Sequence, residues 1–162
     1  HRHFRRQRQM CIRDRSQTVL NRERMLKVCP DVDFNISSTL SVMNSYHIPE
    51  FHQEWIELGL LEPMDWNINI LQSPEYMRID VLPEAMKQEV LALYNDHISW
   101  LEDKDRFKLA INGFKSAMNY MIQTDNSKMI PELLHNIDKM DGLRNENFFE
   151  VFPELGSLKQ YA

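Results

Sequence analysis

The chain has 162 residues, 43% of them hydrophobic and 27% charged, with a formal net charge of −5. That length holds one core, or one modest core with a helical appendage. Residues 1–15 carry six of the 19 basic and one of the 24 acidic side chains, which leaves 13 against 23 for the rest. So acidic a body argues against a nucleic-acid groove, which needs clustered Lys and Arg. Two cysteines, Cys11 and Cys29, make no disulfide framework and fit a reducing, cytoplasmic setting. No run reaches the roughly 18–20 apolar residues of a spanning helix, and no secretory signal is visible.

Residues 1–16, HRHFRRQRQMCIRDRS, differ from the remainder. As a real segment they would be a basic arm for nucleic acid or organelle import. RQRQMCIRDRS also resembles translated sequencing-adapter sequence of the kind found at the ends of chains assembled from environmental reads. On that reading the leader is foreign or disordered, and the protein's own N-terminal part is missing.

Gln17–Val28 reads as a short helix with Asn21 as a possible N-cap and Leu26 facing inward, ended by Pro30. Val32, Phe34 and Ile36 alternate with polar residues, the period of a half-buried strand. Ile48, Phe51, Trp55 and Ile56 have helical spacing, with Pro49 and Glu50 in a first turn and Gly59 near the end. Trp66, Ile68 and Ile70 alternate again, and Met77, Ile79 and Val81 a third time. Strand, helix, strand is the grammar of a unit in which a crossover helix lets two strands run parallel.

From Pro83 the pattern turns helical. Met86, Val90, Leu93 or Tyr94, His97 or Ile98, and Leu101 share one stripe, broken at Asp103–Asp105. Phe107, Ala110 or Ile111, Phe114, Met118 and Met121 share a second, and Pro131, Leu134, Ile137 and Met140 or Asp141 a third that ends at Gly142. Phe148, Phe149 and Phe152 dock the tail. The expected organisation is a leader over 1–16, an α/β segment over 17–83 and a helical region over 84–162.

Candidate chemistry is sparse. No HExxH or HxxxH occurs, so a metal site would require the fold to bring together two of His47, His52, His97 and His135. His97, on its helical stripe, reads as a core or boundary residue. Asp80 reads as facing outward on an edge strand. The glycines at 59, 113, 142 and 156 are too scattered to cradle phosphate, and Cys29 has no base nearby in sequence. The polar strand ends are the best candidates: Ser38, Thr39, Ser41 and Asn44 after the first strand, Gln72 and Ser73 after the second. Such groups orient a polar ligand or cap the local turn, and sequence weighs the two evenly.

The stretch from about Asp31 to Leu155 resembles the C-terminal portion of radical S-adenosylmethionine proteins with a twitch-type C-terminal region. Thr39–Asn44, Ile48–Phe51, Asn69–Pro74, Ile79–Pro83, Ile137–Phe148 and Phe152–Leu155 carry the resemblance. It implies a truncated partial (β/α) barrel piece of two or three strands, followed by a helical C-terminal region. It also implies an iron–sulfur cluster ([4Fe-4S]) and S-adenosylmethionine in the full-length parent, and a small-molecule or peptide substrate. Thr39, Ser41 and Asn44 would face cofactor, and Gln72 substrate. The family's CxxxCxxC is missing, so the resemblance implies a fragment without its cluster-binding half, inactive alone, whose partner is that missing half. Two other readings stand beside it. One is a small helical interaction module that buries Trp55, Trp66, Trp100 and the phenylalanines against a partner. The other takes the basic arm as a nucleic-acid binder.

Overall fold

In the computed structural model, backbone is described for residues 2–161 and side chains for residues 15–161. The first helix, α1 (Arg2–Val28), is continuous, so Asn21 lies inside it and caps nothing. Instead Gln17 Nε2 donates to Asn21 Oδ1 at 3.0 Å, one turn apart. Val19 and Leu26 rest on the core, and the helix stops before Pro30. Apart from Arg15 and Ser16, the reading of residues 1–16 as a foreign leader falls on side chains outside the described ones.

The α/β unit is present. β1 (Ile36–Leu40) and β2 (Trp66–Ile70) pair in parallel, Ile36 opposite Trp66 and Leu40 opposite Ile70. The crossover holds α2 (Ile48–Glu57), shorter than its apolar pattern because Gly59 takes φ +66° just beyond it. Gly59 N donates to Ile56 O and Leu60 N to Trp55 O, both at 2.9 Å, which satisfies the last carbonyls of the helix.

The expected third strand is absent. Residues 75–81 form two successive 3₁₀ turns, Glu75–Met77 and Ile79–Val81. Ile79, Asp80 and Val81 are all buried, an outcome a strand, with side chains on alternate faces, could not give on a single-sided sheet. Asp80 is therefore no outward edge residue. Its carboxylate accepts from Arg78 on one side and from Asn126 Nδ2 at 2.7 Å on the other, and its carbonyl accepts from Asn126 N at 3.2 Å. The described residues contain one two-stranded sheet and no barrel; the class is mixed α/β, mostly helical.

Helices α3 (Glu84–Leu101) and α4 (Leu109–Gln123) follow their stripes, except that Phe107 is exposed in the joint between them. Asp105 makes that joint. Its buried carboxylate accepts from the amides of Leu109 at 3.3 Å and Ile111 at 3.0 Å, at the orphan end of α4. Helix α4 packs on β2 at Gly113, where an added Cβ would meet Ile68 at 3.8 Å, an ordinary van der Waals contact that the site could accommodate. Helix α5 (Ile130–Arg144) runs past Gly142 and ends where Asn145 adopts φ +53°, a left-handed conformation that Asn tolerates. After the short α6 (Phe148–Val151), a 3₁₀ tail over Pro153–Tyr161 seats Leu155 and Leu158 in the core. Glu154 Oε1 accepts there from His47 Nε2 at 2.7 Å.

Trp55 and Trp66, expected to bury against a partner, are spent on this core, and Trp100 is partly covered. Asp80→Ala is expected to cost about 3 kcal/mol, as for other broken buried ion pairs, whereas Phe107→Ala should cost under about 0.5 kcal/mol. Urea unfolding of the two variants checks both.

Candidate functional site: the polar face of the sheet

Period-two alternation gives the sheet two unlike faces. Ile36, Ser38 and Leu40 of β1 share a face with Trp66, Ile68 and Ile70 of β2. Both α2 and α4 cover that face: His52 stacks on Trp66 at 4.6 Å, Phe51 lies tilted against it at 5.6 Å, and Gly113 lies against Ile68. The opposite face presents Ser37, Thr39, Asn67 and Asn69, all exposed, in register Ser37 with Asn67 and Thr39 with Asn69. Asn69 Nδ2 donates to Ser37 Oγ at 2.6 Å, so two of the four side chains hold each other in place. Hydroxyls and carboxamides packed this way offer donors and acceptors in a plane, suited to a polar ligand.

The residues expected at the rim separate. Thr39 stands on the polar face, near its open end. Ser41 and Asn44 are engaged in their own turn: Asn44 Oδ1 accepts from Ser41 N at 2.9 Å, and Asn44 Nδ2 donates to Thr39 O at 2.9 Å. Gln72 is exposed, but its Nε2 donates to Ile70 O at 3.1 Å and its Oε1 accepts from Tyr120 at 3.4 Å. Of the four, Thr39 alone joins the sheet face. Ser37, Asn67 and Asn69 belong with it, and the signal was the parity opposite Trp66, Ile68 and Ile70.

Behind the apolar face the fold brings together two of the histidines. His52 Nδ1 lies 2.9 Å from His97 Nε2, with His52 between Trp66 and Phe114. Both rings are almost fully buried, and His52 Nε2 and His97 Nδ1 have no hydrogen-bond partner. Burial pushes His52 down to about 3, helped by the facing His97 and opposed by the Pro63 carbonyl. Burial alone pushes His97 down to about 4. Forty-five residues separate them, so no sequence spacing announced the pair. Among the described residues no third His, Cys, Asp or Glu joins them as a metal ligand set.

With this geometry in hand, the chain matches no protein-family model, no curated protein and no solved structure.

Both histidines are neutral in the folded protein near pH 7, whereas in the unfolded chain each titrates near its ordinary 6.5. A lowered folded value means that the unfolded state binds protons first. Stability is therefore full above about pH 6.5 and falls as pH drops below it, by about 2 kcal/mol per histidine at pH 5. Thermal melts from pH 7.5 to 5 are expected to show this loss, and His97→Gln should remove about half of it.

Proposed function

We propose that the chain is the C-terminal part of a radical S-adenosylmethionine enzyme, working in the cytoplasm and completed by a preceding segment. The observation that carries this reading is the single-sided sheet. In a (β/α) barrel the helices form an outer ring, and the strand face away from them lines the interior. Here α2 and α4 lie on one face, and Ser37, Thr39, Asn67 and Asn69 line the other. A parallel pair also has two open edges onto which further strands can add. On this reading Thr39 and Asn69 face S-adenosylmethionine or substrate, while Ser41, Asn44 and Gln72 shape the rim.

The iron–sulfur cluster does not fit this chain. Cluster ligation takes several thiolates, and the sequence holds Cys11, whose side chain lies outside the described ones, and an exposed Cys29. No step is assigned through it; in this reading its ligands belong to the preceding segment.

The test begins at the gene. A continuous read across the codon for Gln17 is expected to join it to an upstream frame encoding CxxxCxxC. The joined protein, with its cluster reconstituted, should cleave S-adenosylmethionine. Thr39→Val and Asn69→Leu should each lower that rate about tenfold, the loss of one ligand hydrogen bond. A Met codon directly before HRHFRRQ would overturn the reading.

One observation favours the alternative, a helical interaction module. Met43, Tyr76, Met77, Ile137, Phe148 and Phe152 line a mainly apolar groove of about 430 Å³ beside α5 and α6. A chain that is monodisperse and unfolds cooperatively by itself supports the module; one that aggregates through open sheet edges supports the severed barrel.

A further inference from the structure

The groove of about 430 Å³ beside α5 and α6 is bordered by apolar side chains that the core leaves uncovered. Its α5 wall follows one helical stripe through Leu133, Ile137, Met140 and Arg144. Leu133 and Ile137 are buried, whereas Met140 is 41% exposed. Leu143, one turn beyond Met140 on the flank of that stripe, is 74% exposed. Val151, which lines the groove from α6, is 55% exposed. An apolar hollow and projecting apolar side chains thus adjoin, as they do at interaction surfaces.

The charges of the groove are an independent observation. Asp141, Arg144 and Glu146 belong to its lining. Asp141 is already used: its Oδ2 accepts from Phe148 N at 2.8 Å and ties α6 to the end of α5. Among the described residues the side chains of Arg144 and Glu146 have no ion-pair or hydrogen-bond partner, and they do not pair with each other. Asn145 between them takes φ +53°, so α5 stops at Arg144 and Glu146 N turns back to donate to Asp141 O at 3.1 Å. One unpaired cation and one unpaired anion therefore stand two residues apart on the same apolar groove.

We propose that this face is the interface of a homodimer, with a second copy of the chain as the occupant of the groove. A surface that carries a hollow, projecting apolar side chains and one charge of each sign is complementary to itself across a two-fold axis. Leu143 and Val151 of each copy enter the groove of the other. Arg144 of each copy meets Glu146 of the other, which gives two equivalent guanidinium–carboxylate pairs. A partner of uniform charge would satisfy one of these side chains and repel its neighbour, whereas a second copy satisfies both. The interface uses neither the polar sheet face nor an open strand edge, so it stands apart from the radical-enzyme reading.

Sedimentation equilibrium of the full chain tests this. A dimer is expected at about 100 μM, a concentration that fills an interface of roughly ten-micromolar Kd. Leu143→Glu alters an exposed side chain, so the far-ultraviolet circular dichroism should be unchanged while the dimer weakens about a hundredfold. Arg144→Glu turns two attractions into two repulsions and should weaken the dimer about tenfold. Combining it with Glu146→Arg re-forms both pairs with their signs exchanged and should restore the dimer to within about threefold. A chain that stays monomeric at about 100 μM overturns the proposal. So does a dimer that withstands Leu143→Glu, or one that the charge exchange fails to restore. Assemblies that grow beyond the dimer and ignore Leu143→Glu overturn it too, and would point to the open sheet edges instead.

Discussion

A parallel pair of strands can fold only if something else hides its apolar face. Two strands alone are too small to be stable in water, and their parallel sense forces a crossover between them. Here the crossover helix α2, lying on Trp66, and the distant helix α4, lying on Ile68, share that task, and Trp66 is left 1% exposed. His52 is caught at the meeting point, stacked on Trp66 on one side and Phe114 on the other. Its neutral state, its contact with His97 and the course of α3 behind it all follow from closing this one face.

The buried charges and the buried aromatic cluster are treated differently. Asp80, Lys87 and Asp105 each have partners: Asp80 with Arg78 and Asn126, Lys87 Nζ donating to Thr124 O at 3.1 Å, and Asp105 at the start of α4. They fix the joints before and after α4, where backbone groups would otherwise be left without partners. By contrast, among the described residues the buried side-chain nitrogens and oxygens without a partner are His52 Nε2, His97 Nδ1, Tyr94 Oη and the indole nitrogens of Trp55 and Trp66. All five belong to α2, α3 and β2. Burial of Tyr94 raises its hydroxyl above the usual phenolic range, so it stays protonated, a donor with nothing to donate to. Packing of large rings was worth more there than polar satisfaction.

Much of this was legible in the sequence. Alternation at Trp66, Ile68 and Ile70 and the helical stripe through Met86, Val90 and Tyr94 each encode a period that backbone geometry imposes. The same alternation misled at Met77, Ile79 and Val81, because three apolar positions cannot separate a strand from consecutive tight turns. What decides there is Asp80, which Arg78 and the remote Asn126 pull inward. Gly142 looked like a helix end because glycine takes left-handed conformations readily, but Asn145 takes that role. On the polar face Thr39 stands with Asn67 and Asn69, which were passed over although parity alone put them opposite the buried face. Ser41 and Asn44 are bonded within their own turn, a partnership that small polar residues after a strand do not reveal in sequence. The His52–His97 contact had no linear signature, since it joins residues from separate helices.

The tail over Pro153–Tyr161 bears on how the molecule is made. Leu155 and Leu158 are fully buried, and Glu154 reaches back to His47 across 107 positions. A nascent chain that has emerged as far as Arg144 already possesses the sheet and its covering helices, yet lacks the two leucines that close the core. Until Leu155 and Leu158 leave the ribosome, the apolar surface they cover stays open to solvent and to other chains. Synthesis from N- to C-terminus therefore leaves this core unlatched until the tail over Pro153–Tyr161 has emerged, however early the sheet and its helices form.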